Sequence, residues 1–289
     1  RGPKTWPGCG PSPKSPTSSK PDHMTDHFAD IEALPLAAHE GAPLVQRAGG
    51  FVKLTLNRPA EHNRLDPADV DALSALFGEL ARDDGMRALV ITGAGEKTFS
   101  SGYTLQALVD ELDARFERML DALESLPFLT IAQLNGSVYG GATDMALCCD
   151  LRLGTLGLKM FMPAAKIGLH YYPGGLRRYV SRLGLPAATK LMLTAATIES
   201  DEMLRIGFMT EMHAREALAA RVSALLEQIG RNEPRVVAQM KRHMHDLAHA
   251  GIPAGLMERI EADYRASVAS AELRGRLEAM LAGRKAKGQ

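Results

Sequence analysis

Two apolar runs about forty residues apart, each closed by a glycine-rich turn, constrain this chain more than any other feature. Ala88-Leu-Val-Ile-Thr92 leads to Phe99-Ser-Ser-Gly-Tyr-Thr104, and Phe128-Leu-Thr-Ile-Ala132 leads to Gly136-Ser-Val-Tyr-Gly-Gly-Ala-Thr-Asp144. Short continuous apolar runs bounded by turn residues read as buried strands. The second turn opens a helix-like stretch, Ala142 to Cys149. Glycine at such places lets backbone N–H groups approach a ligand with no Cβ in the way. The first amides of a helix also lack partners within it. Brought together, the two turns would aim two N–H donors at one oxygen that gains negative charge, which is an oxyanion hole. Taken singly, each turn is better read as a tight strand–helix connection.

The alternation extends in both directions. Phe51-Val-Lys-Leu-Thr-Leu56 reads as a strand, and Asp66-Pro-Ala-Asp69 as a helix start with Pro at its first position. Val70, Leu73, Leu76, Phe77 and Leu80 follow at helical spacing, as do Phe116, Met119, Leu120 and Leu123 further on. Asp150-Leu-Arg-Leu153 resumes a strand. Strands alternating with helices predict an α/β fold with a mostly parallel sheet. Beyond Pro163 the pattern turns helical, over Leu176 to Leu183, Ala187 to Thr194, Ser200 to Ile206, Glu216 to Ile229 and the amphipathic stretch Ala254 to Ala286. Residues 1–23, with six Pro and three Gly among Lys, Ser and Thr, read as disordered and lack the apolar centre of a secretory signal. The division expected is a leader over 1–30, an α/β core over 31–220 and a helical C-terminal region over 221–289.

Composition excludes some partners and favours none. Lys+Arg and Asp+Glu number 34 each, which gives no argument for nucleic acid or an anionic membrane. No apolar run approaches the roughly 20 residues of a membrane span. Of the three cysteines, Cys9 lies in the leader, and Cys148 and Cys149 are adjacent in an apolar segment. Neither a disulfide framework nor metal-ligand spacing is visible, so a reducing cytoplasm is the expected location.

Taken in order, Leu56-Asn-Arg-Pro59, Phe99-Ser-Ser-Gly102, Asn135-Gly136, Gly140-Gly141, Cys149-Asp150, Gly168-Leu169, Leu193-Thr194, Ile206-Gly207 and Arg274-Gly-Arg-Leu-Glu-Ala279 resemble the crotonase superfamily, the enoyl-CoA hydratase/isomerase family. The resemblance runs from about Gly50 to Lys285. It implies a spiral of β-β-α units, a helical C-terminal region that helps build homotrimers or homohexamers, and an acyl-CoA substrate. No cofactor is expected beyond the coenzyme A that the substrate carries. The family stabilises a thioester enolate with two backbone amides, which by motif would be those of Tyr103 and Gly141, framed by Ser101, Gly102 and Gly140.

The acid–base positions depart from the family. A hydratase of this family uses two glutamates, since hydration moves a proton at each end of a double bond. The first position is Asp144; the second, counted back from Gly168, is Ala164, beside Pro163. Asp144 reads either as a first-turn acid that favours the helix dipole or as a general base or acid. The stretch from Gly136 to Met145, with Gly168-Leu-His-Tyr171, resembles the methylmalonyl-CoA decarboxylase branch. There the residue matching Tyr171 contacts the departing carboxylate. Loss of CO2 leaves its electrons behind as the enolate, so it needs the oxyanion hole but no base. The leading expectation is therefore a lyase acting on a malonyl-type thioester. A hydratase or isomerase using Asp144 and a non-catalytic acyl-CoA-binding protein are the alternatives. Among His170, Tyr171 and Tyr172, at least one is expected to face the substrate, with His170 a candidate proton donor. The resemblance also marks Arg58, Arg64, Arg284 and Lys285 as candidates to hold the CoA phosphates. Met160, Met162, Met203 and Met209 read as core or acyl-pocket filler.

Overall fold

In the computed structural model, residues 26–104, 107, 114–253 and 255–286 are described, with side chains to residue 283. The strands are β1 (Leu34–Pro35), β2 (Leu44–Ala48), β3 (Phe51–Leu56), β4 (Ala88–Gly93), β5 (Thr98–Ser100), β6 (Leu129–Leu134), β7 (Ser137–Tyr139), β8 (Leu151–Thr155), β9 (Lys159–Phe161), β10 (Ile198–Glu199) and β11 (Glu211–His213). The helices are α1 (Pro67–Leu80), α2 (Arg115–Glu124), α3 (Gly141–Cys148), α4 (Ala164–Ile167), α5 (Pro173–Thr194), α6 (Ser200–Arg205), α7 (Arg215–Gly230), α8 (Pro234–His249), α9 (Leu256–Val268) and α10 (Ala271–Ala286).

The strands form a seven-stranded sheet in the order β1-β2-β3-β4-β6-β8-β11 and a four-stranded sheet in the order β10-β9-β7-β5. Pairing is parallel from β3 through β4, β6 and β8 to β11. All six residues of β4 are buried, as expected for a strand covered on both faces. The long strands β4, β6 and β8 are each followed by a three-residue strand of the second sheet, β5, β7 and β9. After β7 and β9 the chain turns directly into α3 and α4. This is the expected spiral of β-β-α units, and it brings equivalent turns of successive units side by side.

Helix α1 starts where the sequence places it. Pro67 occupies its first position, and the Asp66 N–H donates to Asp69 Oδ2 at 2.8 Å. Val70, Leu73, Leu76, Phe77 and Leu80 form its buried face. Helix α5 is interrupted at Gly184 (φ 75°), which separates the two helical stretches legible in the sequence. Helix α7 packs Leu218, Val222, Leu226 and Ile229 against Ala88, Val90, Ile131 and Leu153 of the sheet, so the boundary drawn at residue 220 falls inside this helix. Phe28, assigned to the leader, is buried in the same cluster. The amphipathic stretch read as continuous over 254–286 is divided into α9 and α10. Met160, Met162, Met203 and Met209 are all buried in the main core.

Candidate active site

The two glycine turns meet. A Cβ placed on Gly102 (φ 82°) would lie 2.6 Å from the Gly141 nitrogen and 2.8 Å from the Ala142 nitrogen. Only glycine accepts both that left-handed conformation and that approach. From the other side, a Cβ on Gly141 would be 3.8 Å from the Tyr103 nitrogen. Hydrogen bonding orients the first turn. The Leu65 N–H donates to Gly102 O at 2.8 Å and the Thr104 N–H donates to Leu65 O at 2.9 Å, forming a parallel bridge between Leu65 and Tyr103. In such a bridge the polar groups of residues 102 and 104 face Leu65, and the Tyr103 amide turns to the opposite side.

The neighbouring amides are committed elsewhere. The Gly102 N–H donates to Ser100 Oγ at 3.0 Å, the Ser101 N–H to His62 O at 2.8 Å and the Gly140 N–H to Phe161 O at 2.9 Å. Gly141 is the first residue of α3, where amides have no partner inside the helix. Asn63, which the sequence reading did not single out, holds the first turn from below. It is 1% exposed, accepts the Arg58 N–H, and donates Nδ2 to Ala94 O at 2.9 Å and Thr98 O at 2.8 Å. The Phe116 ring lies over Gly141, 2.8 Å from where its Cβ would be, and stacks on Tyr103 with centroids 5.2 Å apart.

Asp144, one turn into α3, is fully buried and both of its oxygens are engaged. Arg178 of α5 donates Nε to Oδ1 at 2.8 Å and Nη2 to Oδ2 at 2.9 Å, and the Tyr172 hydroxyl donates to Oδ2 at 2.5 Å. The Tyr171 hydroxyl lies 3.2 Å from that of Tyr172. Arg178 Nη1 also donates to Asp121 at 2.7 Å and Glu124 at 3.0 Å, both on α2. Burial works against the charge on Arg178, but Asp144 and its neighbours hold the guanidinium well above its ordinary value. Burial, then the charge of Asp144, pushes the Tyr171 and Tyr172 phenols well up, so both stay neutral. Glu124 is pulled the other way from Asp144's tyrosines: burial raises it, but Arg178 and Arg177 together lower it.

Ala164 is buried in α4 directly after Pro163 and places no ionisable group at the second family position. The His170 N–H donates to Ser267 Oγ of α9 at 2.9 Å. Its Nδ1, 2.9 Å from Tyr171 O, must carry a hydrogen because a carbonyl only accepts. Tyr264 of α9 packs edge-on against Tyr172, and Leu273 and Leu277 of α10 pack on Ile167. The C-terminal helices thus hold the 164–172 segment in place.

The candidate cations are not gathered with these groups. Arg58 pairs with buried Asp69 and is only 10% exposed, so its charge is used to tie the loop to α1. Arg64 is 40% exposed and pairs with Glu61 and Asp66. The side chains of Arg284 and Lys285 lie outside the described residues. Cys148 and Cys149 are buried and free, their thiols pushed up by burial, Cys149 to about 12. Among the described residues no group of His, Cys, Asp and Glu is arranged to hold a metal ion, and no helix is long and apolar enough to cross a membrane.

Residues 46–273 match the family described as enoyl-CoA hydratase/isomerase. The chain is 27% identical over 206 residues to a short-chain-enoyl-CoA hydratase of Clostridium acetobutylicum, covering 69% of this chain and 79% of that one. It is 29% identical over 195 residues to an (E)-benzylidenesuccinyl-CoA hydratase of Thauera aromatica, covering 65% and 76%. Among solved structures, a methylmalonyl-CoA decarboxylase superposes with a TM-score of 0.76 at 23% identity, over 84% of this chain and 96% of that one. An enoyl-CoA hydratase from Bacillus halodurans superposes with a TM-score of 0.71 at 24% identity, over 82% and 99%. At these identities the two superpositions speak for the fold.

Proposed function

The chain belongs to the enoyl-CoA hydratase/isomerase family, and from that premise we propose that it binds an acyl-CoA thioester with the carbonyl oxygen between the Tyr103 and Gly141 amides and releases CO2 from a malonyl-type acyl group. The observation that carries this reading is the state of the two family acid positions. Ala164 has no carboxyl group, and the Asp144 carboxylate is held on both oxygens by Arg178 and Tyr172. A base must accept a proton, and a carboxylate held by a buried guanidinium gives up that interaction to do so. Decarboxylation makes no such demand. The electrons of the breaking C–C bond become the enolate, and the two amides stabilise the charge on its oxygen. Each such donor typically contributes about 3–4 kcal/mol. Tyr171, buried and neutral, is suited to hydrogen-bond the carboxylate before it leaves, while the one hydroxyl proton of Tyr172 goes to Asp144.

Hydration or isomerisation through Asp144 is the second reading, favoured by the hydratase names of the sequence relatives. Incubation with methylmalonyl-CoA and, separately, with crotonyl-CoA and a 3-enoyl-CoA tests both. CO2 release from the first supports decarboxylation. A change in conjugated-thioester absorbance without CO2 replaces it with the second reading. Binding of CoA esters with no turnover of any would favour a non-catalytic protein.

The assembly belongs to the same proposal. Helix α8 sends Val236, Met240, Met244 and Leu247 into solvent at 48–76% exposure, while its inner face is Lys241. An apolar stripe on a helix is ordinarily buried, and a second copy of this chain in a homotrimer or homohexamer is the occupant proposed for it. Arg64 and Lys285 are retained as candidates for the CoA phosphates.

A further inference from the structure

Helices α2 and α5 face one another with acids on one and arginines on the other. Glu124 meets Arg177, Arg178 and Arg182, and Asp121 meets Arg178. Glu117 lies on the same face of α2, one turn before Asp121, and there the ladder stops. Among the described residues Glu117 has no ion pair. The backbone N–H of Gly174, in the first turn of α5, lies beside the Glu117 carboxylate, whose charged neighbours are Asp121 on its own helix, Glu261 on α9 and Arg178. The helices are close at this end, since a Cβ on Gly174 would lie 2.8 Å from Asp121 Oδ1.

This end of the seam is also the end nearest the two glycine turns. Phe116, the residue before Glu117, lies over Gly141 and stacks on Tyr103. Gly174 follows Tyr172 by two residues, and the Tyr172 hydroxyl reaches Asp144. Glu117 thus follows the residue that covers the two amides and lies beside the start of the helix that the tyrosine segment leads into, in a fold where the second family position is an alanine. We propose that Glu117 is the proton carrier of this site, delivering a proton to the enolate carbon in place of the carboxyl group that Ala164 lacks. This rests on the reading of the Tyr103 and Gly141 amides as an oxyanion hole. The carboxyl O–H breaks as the new C–H bond forms, the enolate electrons return to make the thioester carbonyl, and the Glu117 carboxylate regains its proton from water. Partial burial first, then Asp121 and Glu261, raise Glu117 to about 7, so it holds a proton to give near neutral pH.

Deuterium wash-in at the α-carbon of propionyl-CoA in D2O, followed by NMR on the full chain, reads this step without a carboxylate on the substrate. In the wild type, exchange is expected to rise with pH through about 7 and then level off. Glu117→Gln keeps an acceptor for the Gly174 amide and should slow exchange by about 10²- to 10⁴-fold, with the inflection gone. Glu261→Gln leaves Glu117 in place but removes one of the charges that raise it, and should move the inflection to lower pH. Exchange in Glu117→Gln within threefold of wild type and with the same pH profile overturns the proposal, as does a wild type with no exchange. Absence of CO2 from methylmalonyl-CoA, alongside exchange that Glu117→Gln abolishes, sinks the decarboxylase reading and leaves Glu117 standing.

Discussion

Asp144 is a buried carboxylate with both oxygens engaged. It sits three residues beyond Gly141, where the family carries a glutamate, but Arg178 and Tyr172 have turned it into the centre of a buried polar cluster. Breaking a buried ion pair from one side leaves an uncompensated charge, typically at a cost of about 3–5 kcal/mol. Arg178→Met, which strands Asp144 and Glu124 together, should destabilise the protein by about that much in urea. Asp144→Asn keeps the shape and leaves Arg178 paired with Asp121 and Glu124, so a smaller loss of about 1–3 kcal/mol is expected. CO2 release by Asp144→Asn should stay within about tenfold of wild type, roughly 1.4 kcal/mol in barrier. A much larger loss in a folded variant would make Asp144 a participant in the chemistry. Gly102→Ala should act the other way round. Its methyl group would press on the Gly141 and Ala142 nitrogens and spread the two amides, lowering kcat by about 10²–10³, as loss of one oxyanion donor does. Left-handed strain of about 1–2 kcal/mol would accompany it as a lower Tm.

At the scale of elements, α8 is attached to the body by polar contacts. Lys241 Nζ donates to Phe128 O at 2.9 Å and Asp150 Oδ2 at 2.7 Å, and His245 lies against Arg182 and Asp150. Burial first, then Arg182 and Lys241, hold His245 below its ordinary value, with Asp150 and Glu124 acting weakly against them. His245 is therefore neutral in the folded protein under conditions in which an unfolded chain would already bind a proton. The unfolded state then binds more protons, and stability falls as pH drops below about 6.5. Protection factors for amide exchange over 234–249, with the intrinsic pH dependence divided out, should fall between pH 7.5 and 5.5, and His245→Asn should flatten that dependence; an unchanged profile would mean His245 does not govern this contact.

The same elements explain what could be read from the sequence. Strands β3, β4, β6 and β8 were legible because burial on both faces writes a continuous apolar run. β5, β7 and β9 have three residues each, too few to write a pattern, and β5 and β7 run straight into the glycine turns. Helix α8 escaped notice because its apolar residues cover nothing in one chain, whereas the residue it buries is a lysine. The meeting of the two turns was legible because a close backbone approach needs glycine, and glycine stands out. Arg178 was not, because its partner is 34 residues away and an arginine within a helix ordinarily reads as solvated charge. Glu117 was hidden the same way, since only the packing of α5 and α9 distinguishes it from Asp121 and Glu124.

For the molecule as a whole, the site proposed on two backbone amides depends on how firmly its turns are held. Helices α9 and α10 lie on the 164–172 segment, through Ser267 on His170, Tyr264 on Tyr172, and Leu273 and Leu277 on Ile167. The exposed stripe of α8 belongs to the same helical region. If other copies cover that stripe, association and site order are coupled, because α8 also meets α5 through the contact of His245 with Arg182. Met240 and Met244 stand four residues apart, one turn of helix, at 57% and 58% exposure. Replacing both with glutamate places two charges where a partner would have to desolvate them, at several kcal/mol for each ion. The double variant should therefore run as a monomer in light scattering, while its circular dichroism keeps the wild-type helix signal. Turnover should fall with dissociation and recover in part at high protein concentration, since association follows mass action. A variant that keeps the wild-type mass would show that α8 is not the contact between copies, and a wild type that is itself monomeric would remove the proposed assembly altogether.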